Sequence, residues 1–334
     1  MRLAAPTTVV VTLLLGTTLL VAQQLCSPTG KDHLIHTVGV GLGGGHIDGQ
    51  SNLTIVMYAS TCPAQPHPAA ILVHGGGFTS GSNNDLNQYS LEIALFAHGF
   101  AVFSVNYRLA PGATISNMVS DIQRSVRYVR HEAPRFNVDP DRIVLIGDEA
   151  GGYLVALAAL TPPQPGTPSA YDWDRESDEV HAVVVVAGAG DFGNNLLSTD
   201  KIEAHTLLGW TTAPGPKPAS PNPPVETPYT APPSSADDPL SLVSTNALPF
   251  LFVQGDEGEA EPAQRAATLF QKLQTAGDHP GLILIPRSRL QVQNVSAAGR
   301  SLEWQQSMIG WVLYVLGRHA LPDAETAQSL HVVQ

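Results

Sequence analysis

The sequence predicts an α/β protein in which a mostly parallel central sheet is covered by helices on both faces. Strand-like and helix-like segments alternate along most of the 334 residues. Residues 69–74 are continuously apolar, as expected for a strand that is buried on both of its faces. Residues 115–129 carry apolar side chains at helical spacing, which indicates an amphipathic helix. Such alternation is typical of parallel sheets.

The other elements are predicted from the same patterns, in chain order. Strands are expected at residues 53–58, 69–74, 100–105, 143–146, 181–186, 250–254 and 282–285. Helices are expected at residues 91–98, 115–131, 149–160, 262–275 and 302–316. Asp139-Pro140 is interpreted as a turn. Residues Asp172–Asp178 begin like a calcium loop but lack its central glycine and closing glutamate, so they are interpreted as a solvated loop.

The chain is interpreted as one domain, residues 23–320, between a leader and a tail. Residues 1–22 combine one basic residue with a short apolar run and are interpreted as a cleaved signal peptide; the alternative is an uncleaved membrane anchor. Residues 211–239 form a proline-rich insertion, either a lid or a surface loop, and residues 321–334 form the C-terminal tail. We expect a secreted or periplasmic protein with no stable membrane insertion after processing.

Charge and cysteine content restrict the classes of partner. The 17 basic and 29 acidic residues give a formal net charge of −12, so nucleic acids and anionic membrane surfaces are poor partners. Cys26 and Cys62 form either one disulfide or two separate thiols. Two sequons, at Asn52 and Asn294, accept glycans only in a eukaryotic host.

Residues 143–152, Ile-Val-Leu-Ile-Gly-Asp-Glu-Ala-Gly-Gly, have the pattern of a nucleophile elbow with glutamate in place of serine. A buried strand leads into a glycine-rich turn and then into a helix, which is the context that raises the central side chain of a G-x-S-x-G motif above the sheet. Gly147 and Gly151 occupy the two outer positions of this motif, and Glu149 occupies the central one.

Two further motifs each follow a predicted strand: His74-Gly-Gly-Gly-Phe78 and Asn106-Tyr-Arg-Leu-Ala-Pro111. Together with the elbow, they resemble esterases of the α/β-hydrolase fold, in the hormone-sensitive-lipase and feruloyl-esterase-like branch, over roughly residues 35 to 317. The resemblance implies an oxyanion hole formed by the backbone N–H groups of Gly76, Gly77 and Ala150. Backbone donors of this kind stabilise the charge that develops on a carbonyl oxygen during acyl transfer.

The catalytic triad that the resemblance implies is absent at all three positions. Glu149 replaces the serine, Gly258 stands where the family has its acid, and Leu290 stands where it has its histidine. Without a histidine base, a covalent intermediate on Glu149 would not be cleared by water. His205, which follows the predicted strand at residues 181–186, is the one remaining candidate for a mobile base.

Glu149 has two alternative interpretations besides catalysis. Its carboxylate either folds into its own oxyanion hole or pairs with Arg287 or Arg289 on the loop that lost the histidine. The other interpretation is a cation site that would use five carboxylates: Asp148, Glu149, Asp256, Glu257 and Glu259. Its alternative is that these five residues are ordinary solvated acids. No recognised metal-binding spacing is present, so we predict neither a metal nor a cofactor.

Two functional hypotheses remain. The first is a non-catalytic relative of carboxylesterases that binds a small ester-like or acyl ligand, or a protein partner, through the retained pocket. The second is an active ester hydrolase that uses Glu149 or another non-standard group. Since fold does not determine function, the geometry around Glu149 discriminates between them.

Overall fold

The computed structural model describes residues 33–40, 53–60, 66–83, 86–162, 171–187, 238–245, 248–255, 260–285 and 301–318. Within these residues, eight strands form one sheet in the order β1-β2-β4-β3-β5-β6-β7-β8. The strands are β1 (His33–Val40), β2 (Leu53–Ser60), β3 (His67–Val73), β4 (Ala101–Val105), β5 (Val138–Asp148), β6 (Ala182–Val186), β7 (Phe250–Gly255) and β8 (Gly281–Ile285). Strands β3 to β8 are parallel, whereas β2 is antiparallel to both of its neighbours.

Helices cover both faces of this sheet, which confirms the predicted α/β class. They are α1 (Leu86–Ala97), α2 (Ile115–His131), α3 (Ala150–Leu160), α4 (Pro239–Leu242), α5 (Ala260–Thr275) and α6 (Ser301–Arg318). Helices α1 and α6 share one apolar core, and α2, α3 and α5 share the other. None of the helices in the described ranges is long and apolar enough to cross a bilayer.

Strand β3 shows how the sequence produces two cores. Ala69, Ile71 and Val73 face the core of α2 and α3, while Ala70 and Leu72 face the core of α1 and α6. Because successive side chains of a strand point to opposite faces, a strand covered on both sides must be apolar throughout. In the parallel pair of β3 and β5, Val73 lies opposite Gly147, so the two strands end side by side.

Three features differ from the prediction: the additional strand β1, the start of β5, and the loop at Asp172–Asp178. Strand β1 was not predicted; it pairs along its whole length with β2 at the antiparallel edge of the sheet. Strand β5 begins at Val138 and includes Asp139-Pro140, so the predicted turn there is wrong. Pairing of His67 with Val138 extends the strand, and a register shift between His67 and Ala69 accommodates the extra residues.

The solvated loop predicted at Asp172–Asp178 is instead attached to α2. Arg124 donates two hydrogen bonds to the buried Asp174, at 2.8 and 2.7 Å, and Arg127 contacts the buried Asp178 at 2.5 Å. The arginines lie three residues apart and therefore on one face of the helix. Buried carboxylates require such partners, which a local sequence pattern does not reveal.

Several predictions fall outside the described residues. These are the signal peptide at 1–22, Cys26, Cys62, the two sequon asparagines, nearly all of the insertion at 211–239 and the tail at 321–334. His205, Gly258, Arg287, Arg289 and Leu290 also lie outside the described ranges, as do Asp256, Glu257 and Glu259. The single-domain assignment, residues 23–320, stays a prediction.

Candidate functional site

Glu149 occupies the sharp turn between β5 and α3. Its backbone has φ 48° and ψ −112°, a left-handed conformation that non-glycine residues rarely adopt. Two hydrogen bonds hold the turn: the Glu149 N–H donates to Val186 O at 3.0 Å, and Glu149 O accepts from the Tyr153 N–H at 3.2 Å. The strained elbow geometry is therefore present with glutamate at its apex, and strain of this kind is concentrated at functional sites.

The two outer glycines of the elbow are required by close backbone packing. A Cβ atom on Gly147 would lie 2.2 Å from Gly151 O, and one on Gly151 would lie 2.2 Å from Val73 O. Neither backbone can retreat without disturbing the parallel pairing of β3 and β5. The glycine spacing thus brings the start of α3 directly against the end of β3, where the glycine loop begins.

The glycine loop, residues 74–78, turns sharply after β3. Gly76, Gly77 and Phe78 all have positive φ, at 101°, 60° and 67°. At Gly76 a side chain is also excluded by contact, since a Cβ there would lie 2.3 Å from Ser80 O. Thr79 and Ser80 donate backbone hydrogen bonds to Gly76 O at 3.2 and 3.1 Å, which fixes the turn.

His74 and Tyr107 brace this loop from beneath. The buried His74 donates from Nδ1 to Gly75 O at 2.8 Å, and its ring stacks on Tyr107 with 4.4 Å between centroids. The Tyr107 hydroxyl donates to His74 O and Gly75 O at 3.1 and 3.3 Å. The His74 ring therefore supports the loop rather than acting as a base.

The second loop motif, residues 106–111, is anchored to α2 through Arg108. The Arg108 guanidinium contacts both carboxylate oxygens of the buried Asp121, with a shortest distance of 2.7 Å, and hydrogen bonding to that carboxylate raises the pKa of Arg108. At the other end of the motif, the Ala110 N–H donates to Phe78 O at 2.9 Å. This loop therefore connects α2 to the glycine loop.

The Glu149 side chain is half-buried and lies against the start of the glycine loop. A Cβ atom built on Gly75 would stand 3.1 Å from both Cβ and Oε2 of Glu149. Within the described part of the chain, no hydrogen bond joins this carboxylate to the N–H groups of Gly76, Gly77 or Ala150. The glutamate and the three candidate donors therefore meet at one edge of the sheet, without hydrogen bonds between them.

Asp148 is a second carboxyl group at the same place. Its Oδ1 is sealed from solvent and has no hydrogen-bond partner among the described residues. Burial raises the pKa of Asp148 well above its usual range, and the negative charge of neighbouring Glu149 raises it further. From the sequence, Asp148 is expected only as a member of a cation cluster, because its burial depends on how β5 packs.

The described residues test part of the cation-site hypothesis. They contain no group of three histidine, cysteine, aspartate or glutamate side chains arranged to hold a metal ion. Of the five candidate carboxylates, Asp148 and Glu149 lie in the described ranges, where they are neighbours at the elbow, and the other three lie outside them.

His98 and His181 lie at the edge of the sheet opposite to the elbow. His181 precedes β6, where its Nδ1 accepts from the Ile143 N–H at 3.3 Å near the amino end of the apolar part of β5. His98 follows α1 and precedes β4. Both are separated from the elbow by the length of the strands, so neither serves Glu149 as a base.

Comparison with known proteins agrees with this architecture. The BD-FAE family matches residues 56–273. Esterase LipC of Mycobacterium tuberculosis (strain ATCC 25618 / H37Rv) is 25% identical over 244 residues, which cover 68% of this chain and 53% of the relative. Esterase LipQ of the same organism is 25% identical over 217 residues, covering 64% and 48%. The chain thus spans about half the length of the curated relatives it matches.

Solved structures show the same fold. The acetyl ester-xyloside bifunctional hydrolase from Caldicellulosiruptor lactoaceticus superposes with a TM-score of 0.68 at 20% identity, covering 86% of this chain and 99% of that one. An esterase from Thermogutta terrifontis superposes with a TM-score of 0.64 at 16% identity, covering 85% and 92%. Because the family match covers more than half of the sequence, this chain belongs to the BD-FAE family, a carboxylesterase-like group of the α/β-hydrolase fold.

Proposed function

We propose that this protein is a non-catalytic member of its esterase-like family, which binds a small ligand at the elbow site. The observation that carries the proposal is the position of Glu149: a carboxylate stands at the strained apex, against the glycine loop, where the family has its nucleophilic serine. A carboxylate at this point opposes the negative charge that an ester carbonyl develops during attack.

The two missing helpers support the same proposal. Ester hydrolysis through a covalent intermediate needs a base to activate water for the second step. The resemblance assigns the histidine and acid positions of the family to Leu290 and Gly258, and neither side chain carries a titratable group. His98 and His181 are distant, and His74 is committed to the loop.

The retained architecture indicates that the site still has a use. The steric demands on Gly147 and Gly151 and the positive φ of Gly76 and Gly77 preserve an elbow and a loop that a purely structural turn would not need. Glu149 then acts as a fixed anion beside the backbone donors of Gly76, Gly77 and Ala150, or as a partner of Arg287 or Arg289. Export through residues 1–22 is part of this proposal, and sequencing of the mature N-terminus tests it.

An assay with short p-nitrophenyl esters tests the absence of catalysis. Wild-type protein and Glu149→Ala should both show no turnover above the buffer rate, and fluorophosphonate probes should not label the wild type. Turnover that Glu149→Ala abolishes would instead establish the alternative, an ester hydrolase that uses Glu149.

A restored variant provides the positive control. Glu149→Ser, Gly258→Asp and Leu290→His together rebuild the three family positions on the existing scaffold. Labelling of this triple variant by a fluorophosphonate, with none in the triple variant carrying Ala at 149 in place of Ser, would show that the scaffold remains competent and that only the side chains were lost.

A further inference from the structure

The elbow holds two adjacent carboxyl groups, and in the described part of the chain their one polar partner is the Glu149 backbone, which hydrogen-bonds the Asp148 carboxyl. Within the described residues, the half-buried Glu149 carboxylate takes part in no hydrogen bond or ion pair, and the buried Oδ1 of Asp148 has none either. The great majority of buried polar atoms in folded proteins are paired, so each such exception calls for a missing partner. Here the exception is Asp148 Oδ1, and it lies next to the half-buried Glu149 carboxylate at the candidate binding site.

The described basic residues do not supply that partner. The arginines that form ion pairs contact Asp121, Asp174, Asp178, Glu132 and Asp139, all at other places in the fold. Arg130 is likewise committed to the backbone oxygens of Ser177 and Glu179. With a formal net charge of −12, the chain as a whole also attracts cations.

The two carboxyl groups of Asp148 and Glu149 exclude the types of ligand that a serine esterase binds. An ester carbonyl or a carboxylate offers only acceptor oxygens, which would face the acceptor oxygens of Glu149. A hard metal ion needs six to eight oxygen ligands, whereas the described residues provide no group of three candidate ligands. An ammonium group brings three donors and a positive charge, and it needs only one carboxylate.

From this arrangement we infer that the elbow site binds a small organic ammonium ion, whose N–H donors contact the Glu149 carboxylate. The inference rests on the proposed non-catalytic function and names its ligand class. Gly75 leaves room for the carboxylate beside the loop, and the strained φ of Glu149 holds the side chain at the apex. The substitution of serine by glutamate thus reverses the preference of the site from a developing anion to a cation.

A ligand-observed NMR titration of the full chain tests this inference. The probes are n-butylammonium, 1-butanol and butyrate, which share an alkyl chain and differ in charge. Wild-type protein should bind n-butylammonium more tightly than the other two. Glu149→Gln, which removes the charge and keeps the shape, should weaken n-butylammonium binding about tenfold or more. Glu303→Gln, the same change at an exposed position on α6, should leave it unchanged.

Thermal unfolding of each variant verifies that it is folded, and Glu149→Ala serves if Glu149→Gln is not. Equal binding of 1-butanol or butyrate, or unchanged affinity in Glu149→Gln, overturns the inference. Binding of n-butylammonium that appears only in the double variant Arg287→Ala, Arg289→Ala also overturns the inference, because an arginine of the chain would then be the partner of Glu149. Ester turnover measured on the same samples distinguishes failure of the proposed function from failure of the ligand class. Turnover that depends on Glu149 overturns the non-catalytic function. No turnover, together with binding of 1-butanol alone, overturns only the ligand class.

Discussion

Gly75 and Glu149 are in such close contact that a methyl group at residue 75 would stand 3.1 Å from both Cβ and Oε2 of the glutamate. The same methyl group would lie 3.2 Å from Asp148 O. The glycine before the two expected oxyanion donors thus accommodates the Glu149 side chain, and this contact joins the glycine loop to the elbow.

Gly75→Ala tests that contact directly. The added methyl group should destabilise the protein by about 1–3 kcal/mol, as overpacking usually does. In a Glu149→Gly background the cost should fall, because two of the three close atoms are then absent. Urea unfolding of the four proteins in this double-mutant cycle gives the coupling energy. A cost that is identical in both backgrounds would contradict the contact.

Backbone strain at residue 149 predicts an unusual order of stabilities. At φ 48° and ψ −112° glycine is relaxed while alanine keeps the strain, which costs about 1–3 kcal/mol. Glu149→Gly should therefore be more stable than Glu149→Ala, which is the reverse of their order in a helix interior. Paired denaturant titrations decide the order, and greater stability of the alanine variant would argue against the strained elbow.

Gly151, on the first turn of α3, should tolerate no side chain. A Cβ at Gly151 would lie 2.2 Å from Val73 O and 2.6 Å from His74 O, both backbone atoms. Gly151→Ala should cost about 3 kcal/mol or more, or prevent folding. Gly310→Ala is the matched control, since Gly310 is exposed on α6 with no atom within 4 Å of an added Cβ, and it should gain about 0.5–1 kcal/mol. Circular dichroism melts of both variants test the contrast.

His181 should make stability depend on pH near neutrality. Burial, followed by the charge of Arg130, lowers its pKa in the folded protein. The unfolded chain therefore binds a proton first, at a pKa of about 6.5, so stability should fall as pH decreases through that value and level off below the folded pKa. His181→Asn keeps an acceptor for the Ile143 N–H without titrating, and its denaturation midpoint should show a smaller change with pH between about 7 and 5. An unchanged pH dependence in this variant would contradict the role of His181.

Asp148 should have the opposite dependence. Its pKa is raised in the folded state by burial and by Glu149, so the folded protein retains the proton after the unfolded chain has lost it. Its contribution to stability is complete below a pH of about 3.9 and is lost as pH rises above that value. Asp148→Asn, which is neutral at every pH, should therefore stabilise the protein at pH 7 and have less effect near pH 4. Urea midpoints at the two pH values provide the comparison, and a gain that is larger at pH 4 would count against it.

The parallel core and the elbow were predictable because both are encoded locally. Uninterrupted apolar runs such as residues 69–74 and 143–146 indicate strands that are buried on both faces. The glycines at 147 and 151 indicate a tight turn by their spacing alone. Strand β1 escaped prediction because its pairing with β2 depends on a partner beyond a long connection, and β-structure is sensitive to such context.

The sequence by itself determined the α/β alternation, the order of the three loop motifs and the identity of the residue at the apex of the elbow. Only the tertiary structure decided that Oδ1 of Asp148 is sealed from solvent, that Gly75 contacts Glu149, and that Asp174 and Asp178 are bound to α2. The physical reason is the range of the interactions. Periodicity and backbone preference act between neighbours in the chain, whereas burial and charge pairing depend on residues that folding brings together from 50 or more positions apart.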